Sequence, residues 1–162
     1  MSQKETGMAR PEADSEGRLL GVKQAALGAA AGLAGMAAMA PFLGAAWALD
    51  AFELAAVAGL SDIVGFDGSF LLGSVIFVGG GMTTLPLLFA SLAVFLPGEA
   101  MSAKGAVFGA IVWTGFAVAF WSEQTGATLA LYLLFTLLAH LAYGTVLGTL
   151  YGRYAEIPVY DV

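Results

Sequence analysis

The sequence has no cysteine and a single histidine, His140, among its 162 residues. Without cysteine there are no disulfides, no thiolate metal sites and no cysteine nucleophile. Charge is scarce too. Only 11% of the residues are Asp, Glu, Lys or Arg, against about 25% in an ordinary soluble domain. So little charge cannot cover a globule in water. Bases are the scarcest, six against twelve acids, for a net charge of −6. That balance argues against nucleic acid, whose phosphates need cationic partners. It also suits a high-salt, halophilic setting. Paired carboxylates and a nucleophile motif are missing. The triple glycine at 79–81 runs on into Met-Thr-Thr rather than Lys-Ser/Thr, so it is no phosphate loop. No enzymatic activity, metal or cofactor is expected.

What is present is apolar length. Hydrophobic residues make up 59% of the chain, and the mean hydropathy is +0.85. Four runs, 24–49, 70–96, 105–121 and 128–151, hold no acidic or basic residue. Each reaches or approaches the roughly 20 residues that a helix needs to cross a bilayer. Inside lipid every backbone polar group must bond internally, and no period-two alternation suggests a barrel. The expected fold is therefore all-α, a four-helix bundle spanning the cell membrane several times, with the lipid bilayer as its principal partner. The first run exceeds a signal-peptide core of about 7–15 residues and is read as an uncleaved span. Residues 1–22 form a polar head without apolar periodicity, expected to be disordered. The membrane domain is 23–153, and 154–162 are a short tail.

The connecting segments sort by charge. Lys4, Arg10, Arg18 and Lys23 precede the first run, Lys104 lies between the second and third, and Arg153 follows the fourth. The loops at 50–69 and 122–127 hold no base, only Asp50, Glu53, Asp62, Asp67 and Glu123. The positive-inside rule then places both termini in the cytoplasm and the 50–69 loop outside. That loop is itself apolar. Glu53 and Asp62 fall half a turn out of phase on one helix, so two short pieces meeting near Gly59 fit better than a single amphipathic rod. Its carboxylates read as solvated groups ahead of a cation site. Trp47, Trp121, Tyr132, Tyr151 and Tyr154 sit near run ends, where interfacial rings are favoured.

Small residues recur at four-residue spacing: Gly28 with Gly32, Gly105 with Gly109, and Gly144, Gly148 and Gly152. In lipid such a glycine zipper lets backbones approach closely. Packing within the bundle is the reading preferred over a dimer seam. The second run contains "VGGGMTTLP", in which Pro86 frees the carbonyl four residues back, at Met82. The hydroxyls of Thr83 and Thr84 are the expected partners. A broken transporter helix is the functional alternative. Pro41 is a second candidate kink.

His140 falls near the middle of the fourth run, at a depth shared with Met36, Met39, Met82, Thr83, Thr84 and Thr114. A polar ring in hydrocarbon needs a partner, and a threonine hydroxyl suffices. A hydrogen-bonded structural histidine ranks ahead of a haem or copper ligand shared with methionine, because no second histidine exists. A proton relay ranks lower, since no span holds an acid.

Two segments, "KGAVFGAIVW" at 104–113 and "LLAHLAYGTVLGTLYG" at 137–152, resemble a family of small four-helix membrane proteins of unknown function. These are common in haloarchaea and some bacteria, and some are labelled cytochrome c oxidase subunit I-like. "GLAGMAAMAP" at 32–41 and "LPG" at 96–98 are similar to the family's first half. The resemblance implies a duplicated helical hairpin and no activity. The family's frequent second-helix histidine is replaced here by Phe77 or its neighbours. Three readings follow, in order. The first is an accessory or scaffold subunit of a membrane complex, with other membrane subunits or itself as partner. The second is a small oligomeric transporter or channel, and the third a haem or copper redox protein. The candidate polar and packing residues are His140, Thr83, Thr84, Thr114, Met36, Met82, Pro86, Gly144, Gly148 and Gly152.

Overall fold

The computed structural model describes residues 11–154. They form helices and turns, with no strand among the described residues. Helix α1 is Pro11–Ala48, α2 is Leu54–Ala58, α3 Phe70–Gly79, α4 Leu85–Leu92, α5 Met101–Ala119 and α6 Gly126–Tyr154. A 3-10 segment, Gly59–Val64, follows α2, so two short helical pieces meet at Gly59 as expected. A π-helical turn, Gly80–Thr84, joins α3 to α4. Four stretches are long and apolar enough to cross a membrane: Gly21–Ala48, Phe70–Leu92, Met101–Ala119 and Gly126–Tyr154.

The boundaries differ from expectation in instructive places. Helix α1 covers Pro11–Ala48, so residues 11–22 of the supposed disordered head are helical. Propagation costs little once a long helix exists. Residues 1–10 and the tail at 155–162 lie outside the described residues. The second span stops at Leu92, not Leu96, because Pro97 bars helix before it and Gly98 turns the chain at φ 117°. The third span gains residues 101–104 at its start. α1 runs on through Pro41.

α6 is the central element, packed along α5 on one side and α1 on the other. The α5–α6 seam is backbone against backbone. A methyl group at Gly105 would strike the Gly144 carbonyl, one at Gly109 the His140 carbonyl, and one at Gly148 the Met101 carbonyl. This close approach supplies the dispersion contact that hydrophobic burial cannot give in lipid. Gly152 meets only the Met101 side chain. On the other side, Gly35 of α1 leaves room for the Tyr143 ring, and Gly32 for Gly81, Met82 and Pro86.

The two ends of the bundle are tied differently. Towards the 50–69 loop, Phe52, Phe116, Phe120 and Tyr132 pack together, with Phe116 and Phe120 stacked at 4.3 Å. Tyr132 is fully buried and donates to the Ala117 carbonyl at 3.0 Å, so it joins helices rather than marking the interface. Buried Gln124 donates to the Ala51 carbonyl at 3.3 Å, and the Ser61 hydroxyl accepts from Ser69 N–H at 2.8 Å. Asp62 is used within its loop, accepting from Gly68 N–H at 2.7 Å. At the opposite end Lys104 donates to the Ala93 carbonyl at 2.9 Å, beside the negative end of α4. Trp47, Trp121 and Tyr154 are exposed near span ends, where amphipathic rings suit the membrane interface.

Candidate functional site

The site begins with a break in hydrogen bonding. In the π-helical turn, Leu85 N–H bonds the Gly80 carbonyl, one residue further back than in an α-helix. The next donor along would be Pro86, which has no N–H. The Gly81 carbonyl therefore has no donor on its own helix. Tyr143 of α6 supplies one, its hydroxyl donating to Gly81 O at 2.7 Å from within the core. The expectation named the Met82 carbonyl and a local threonine. The carbonyl that takes a side-chain donor is that of Gly81, in keeping with the register shift of the π turn, and the donor is a distant tyrosine. Thr83 instead bonds the Gly79 carbonyl at 2.7 Å, and its surface is exposed.

One turn away on α6 lies His140, 3% exposed. Its Nδ1 stands 2.8 Å from the Thr136 carbonyl oxygen. A carbonyl only accepts, so Nδ1 carries a proton, and in the neutral ring Nε2 is then the bare acceptor. The expected threonine hydroxyl is therefore not the partner; a backbone carbonyl one turn back takes its place. The Thr136 hydroxyl is occupied elsewhere, accepting from Trp113 Nε1–H at 3.0 Å and donating to the Tyr132 carbonyl at 2.6 Å. Phe116 packs on the imidazole with ring centroids 4.6 Å apart.

These groups floor a cleft of about 390 Å³. Its walls are the second span, through Phe77, Gly80, Thr84 and Leu85, and α5, through Val112, Gly115, Phe116 and Ala119. Met36 and Met39 enter from α1, and His140 and Tyr143 from α6. Between the cleft's two walls, α5 and the second span meet at aromatic pairs. Phe77 meets Phe116 and Phe120 at 6.2 and 6.0 Å, and Phe89 meets Phe108 at 5.5 Å. Thr84, Gly115 and Ala119 are exposed at the mouth, so the opening is on the side of the bundle.

His140, Met36 and Thr84 are therefore brought together. Met82, Thr83 and Pro86 line a separate groove with Gly28 and Tyr151. Thr114 bonds the Ile111 carbonyl at 2.7 Å and faces outward, away from both. Gly144 and Gly148 belong to the α5–α6 seam. The sequence reading missed Tyr143 and Thr136. Their signal was spacing, since 136, 140 and 143 share one face of α6. Among the described residues no cluster of three or more His, Cys, Asp or Glu side chains is placed to hold a metal ion.

A family model described as a family of unknown function, DUF6789, matches residues 22–162. The chain belongs to the DUF6789 family. That match covers all four apolar helices of this DUF6789 chain and both walls of the cleft. Among curated proteins and among solved structures, nothing matches it.

Proposed function

We propose that this chain is a multi-pass protein of the cell membrane that holds a lipid-soluble molecule in its side cleft, as an accessory or scaffold subunit without catalytic chemistry of its own. The observation that carries this reading is the opening of the cleft. It faces sideways, at the depth where a bilayer would lie against the bundle, and its floor holds the one imidazole of the chain. Clefts of roughly 300–1,000 Å³ with apolar walls and a few polar groups are typical ligand sites. A conduction path would have to run end to end. Here the aromatic cluster at one end and the Phe89–Phe108 pair towards the other favour binding over flux.

The same proposal fixes orientation. Lys23, Lys104 and Arg153 lie at one end of the bundle and Asp50, Glu53, Asp62, Asp67 and Glu123 at the other, which supports cytoplasmic termini. The acidic balance supports a halophilic habitat of the haloarchaeal kind. The oxidase-like label of similar proteins is consistent with service to an energy-transducing complex.

Two measurements test the proposal. The natural chain lacks cysteine, so single cysteines at Lys104→Cys and Glu123→Cys are clean labelling sites. Membrane-impermeant maleimide should reach position 123 from outside in intact cells and position 104 only after permeabilisation. Labelling of both from one side would overturn the topology. Gentle extraction into nanodiscs followed by mass analysis should recover a small apolar molecule at a fixed ratio to protein. A Gly115→Leu variant, with its cleft filled, should lose it. Retention of that molecule by the variant would overturn the site.

A further inference from the structure

The chemistry of the cleft narrows its ligand, on the reading that the cleft is a binding site. Four facts bear on it. First, no described Asp, Glu, Lys or Arg lines the cleft, so a charged group entering it would meet no counter-charge. Second, Nε2 of His140 bonds nothing among the described residues. No fully buried side-chain nitrogen or oxygen there lacks a partner, so Nε2 is not sealed in protein and opens on the cleft. Third, the Tyr143 hydroxyl, which shares the cleft lining, has its proton committed to Gly81, and Thr84 sits exposed at the mouth. Fourth, Phe77, Phe116, Phe120 and Tyr143 present aromatic surface around the imidazole.

We infer that the cleft takes a lipid-soluble phenol or hydroquinone whose hydroxyl donates a hydrogen bond to His140 Nε2. A bare imidazole nitrogen is an acceptor, and only a donor satisfies it. A ketone, an ester or a quinone of the same skeleton would set lone pair against lone pair. An aromatic ring on the hydroxyl fits the Phe-lined walls by offset or edge contact. An alkyl tail leaves through the side opening, so only the head need fit within about 390 Å³. The hydrogen bond Nδ1–H to Thr136 O fixes the tautomer, and Thr136 is itself held by Trp113 and Tyr132. His140 is therefore preorganised as an acceptor, and hydroquinone is preferred to quinone.

The test uses the full chain in nanodiscs with isotope-labelled histidine and methionine methyl groups. One histidine gives one Nε2 resonance. The methyls of Met36 and Met39, assigned by Met→Leu substitution, report occupancy of the cleft whatever the ligand bonds. The probes are para-hexylphenol and its methyl ether, para-hexylanisole. In the free protein, Nε2 should resonate as an unprotonated nitrogen. The phenol should shift both signals and saturate. The ether should bind about threefold more weakly and leave Nε2 unmoved, since one hydrogen bond at a mid-span site is worth about that factor. In His140→Phe the two probes should bind alike. Equal binding of both probes to the natural protein, with Nε2 still, would overturn the inference and leave the cleft as a binding site. Methionine methyls unmoved by either probe would overturn both. A protonated Nε2 at rest, or one bound to a co-purified metal with a visible absorption band, would overturn the inference directly.

Discussion

The two faces of α5 are built on opposite plans. Towards α6 it carries Gly105 and Gly109, and its backbone touches the backbone of the next helix. Towards the second span it carries Val112, Gly115 and Ala119, and a methyl group added at Gly115 would meet nothing. A glycine in one face closes a seam, and a glycine in the other leaves a space. The difference is what stands opposite. Gly144 and Gly148 answer Gly105 with a flat backbone strip, whereas the π-helical turn opposite Gly115 turns its orphan carbonyl away, towards Tyr143. A duplicated hairpin with true two-fold packing would close both sides alike. Here α1 meets α6 along its length while α5 and the second span part between their aromatic contacts, so the pattern of contacts is not two-fold.

The largest effect should come from breaking the closed side. Gly144→Val places a branched side chain against the Gly105 carbonyl, a contact with no flexible neighbour to yield. Overpacking typically costs about 1–3 kcal/mol, and more where backbone must move. We expect a loss of about 3 kcal/mol or more, seen as a fall in thermal stability in detergent and separation of α5 from α6. Unchanged stability would mean that the seam is looser than its geometry.

That seam was readable in advance, because four-residue spacing of glycines has a physical meaning in lipid. So were the four spans, since runs free of charge admit no other solution. The cleft was not readable. It depends on which faces of the second span and α5 point towards each other, and spans this uniformly apolar carry no periodicity to reveal a facing side. Thr114 shows the limit: it shares its depth with His140 and points outward. The π turn was half legible. Three glycines and a proline announced a weak point, but the shift in register that turns the Gly81 carbonyl to Tyr143 emerges only from the folded backbone. Tyr132 was misassigned for a related reason. Proximity to a helix end suggested an interface ring, while its neighbours Phe116 and Ala117 offered a carbonyl inside.

A smaller effect should come from the hydrogen bond that shapes the open side. Tyr143→Phe keeps the ring in the space left by Gly35 and removes only the donor to Gly81. In water-soluble cores an orphaned carbonyl costs about 1–3 kcal/mol, but bonds between helices in lipid average about 0.6 kcal/mol. The bilayer value governs a mid-span site, so we expect a loss of about 1 kcal/mol in stability. The readout that separates this from ordinary destabilisation is local. Amide exchange at Leu85 and Leu87 should quicken while α5 and α6 stay protected. Uniform quickening would show that Tyr143 holds the whole bundle and not the turn.

The smallest effect on stability should come from Gly115→Leu, and its value lies in the contrast. The new side chain enters empty space, and glycine in a helix interior is disfavoured by about 1 kcal/mol relative to alanine. Stability should therefore hold or rise by up to about 1 kcal/mol, opposite in sign to Gly144→Val although both add bulk to a glycine in a long apolar helix. Binding should respond the other way. The leucine occupies the mouth of the cleft, so the methionine-methyl response to para-hexylphenol should disappear while the α5–α6 seam stays intact. A stability loss comparable to that of Gly144→Val would mean that α5 and the second span close on one another, and the asymmetry between the two faces of α5 would be gone.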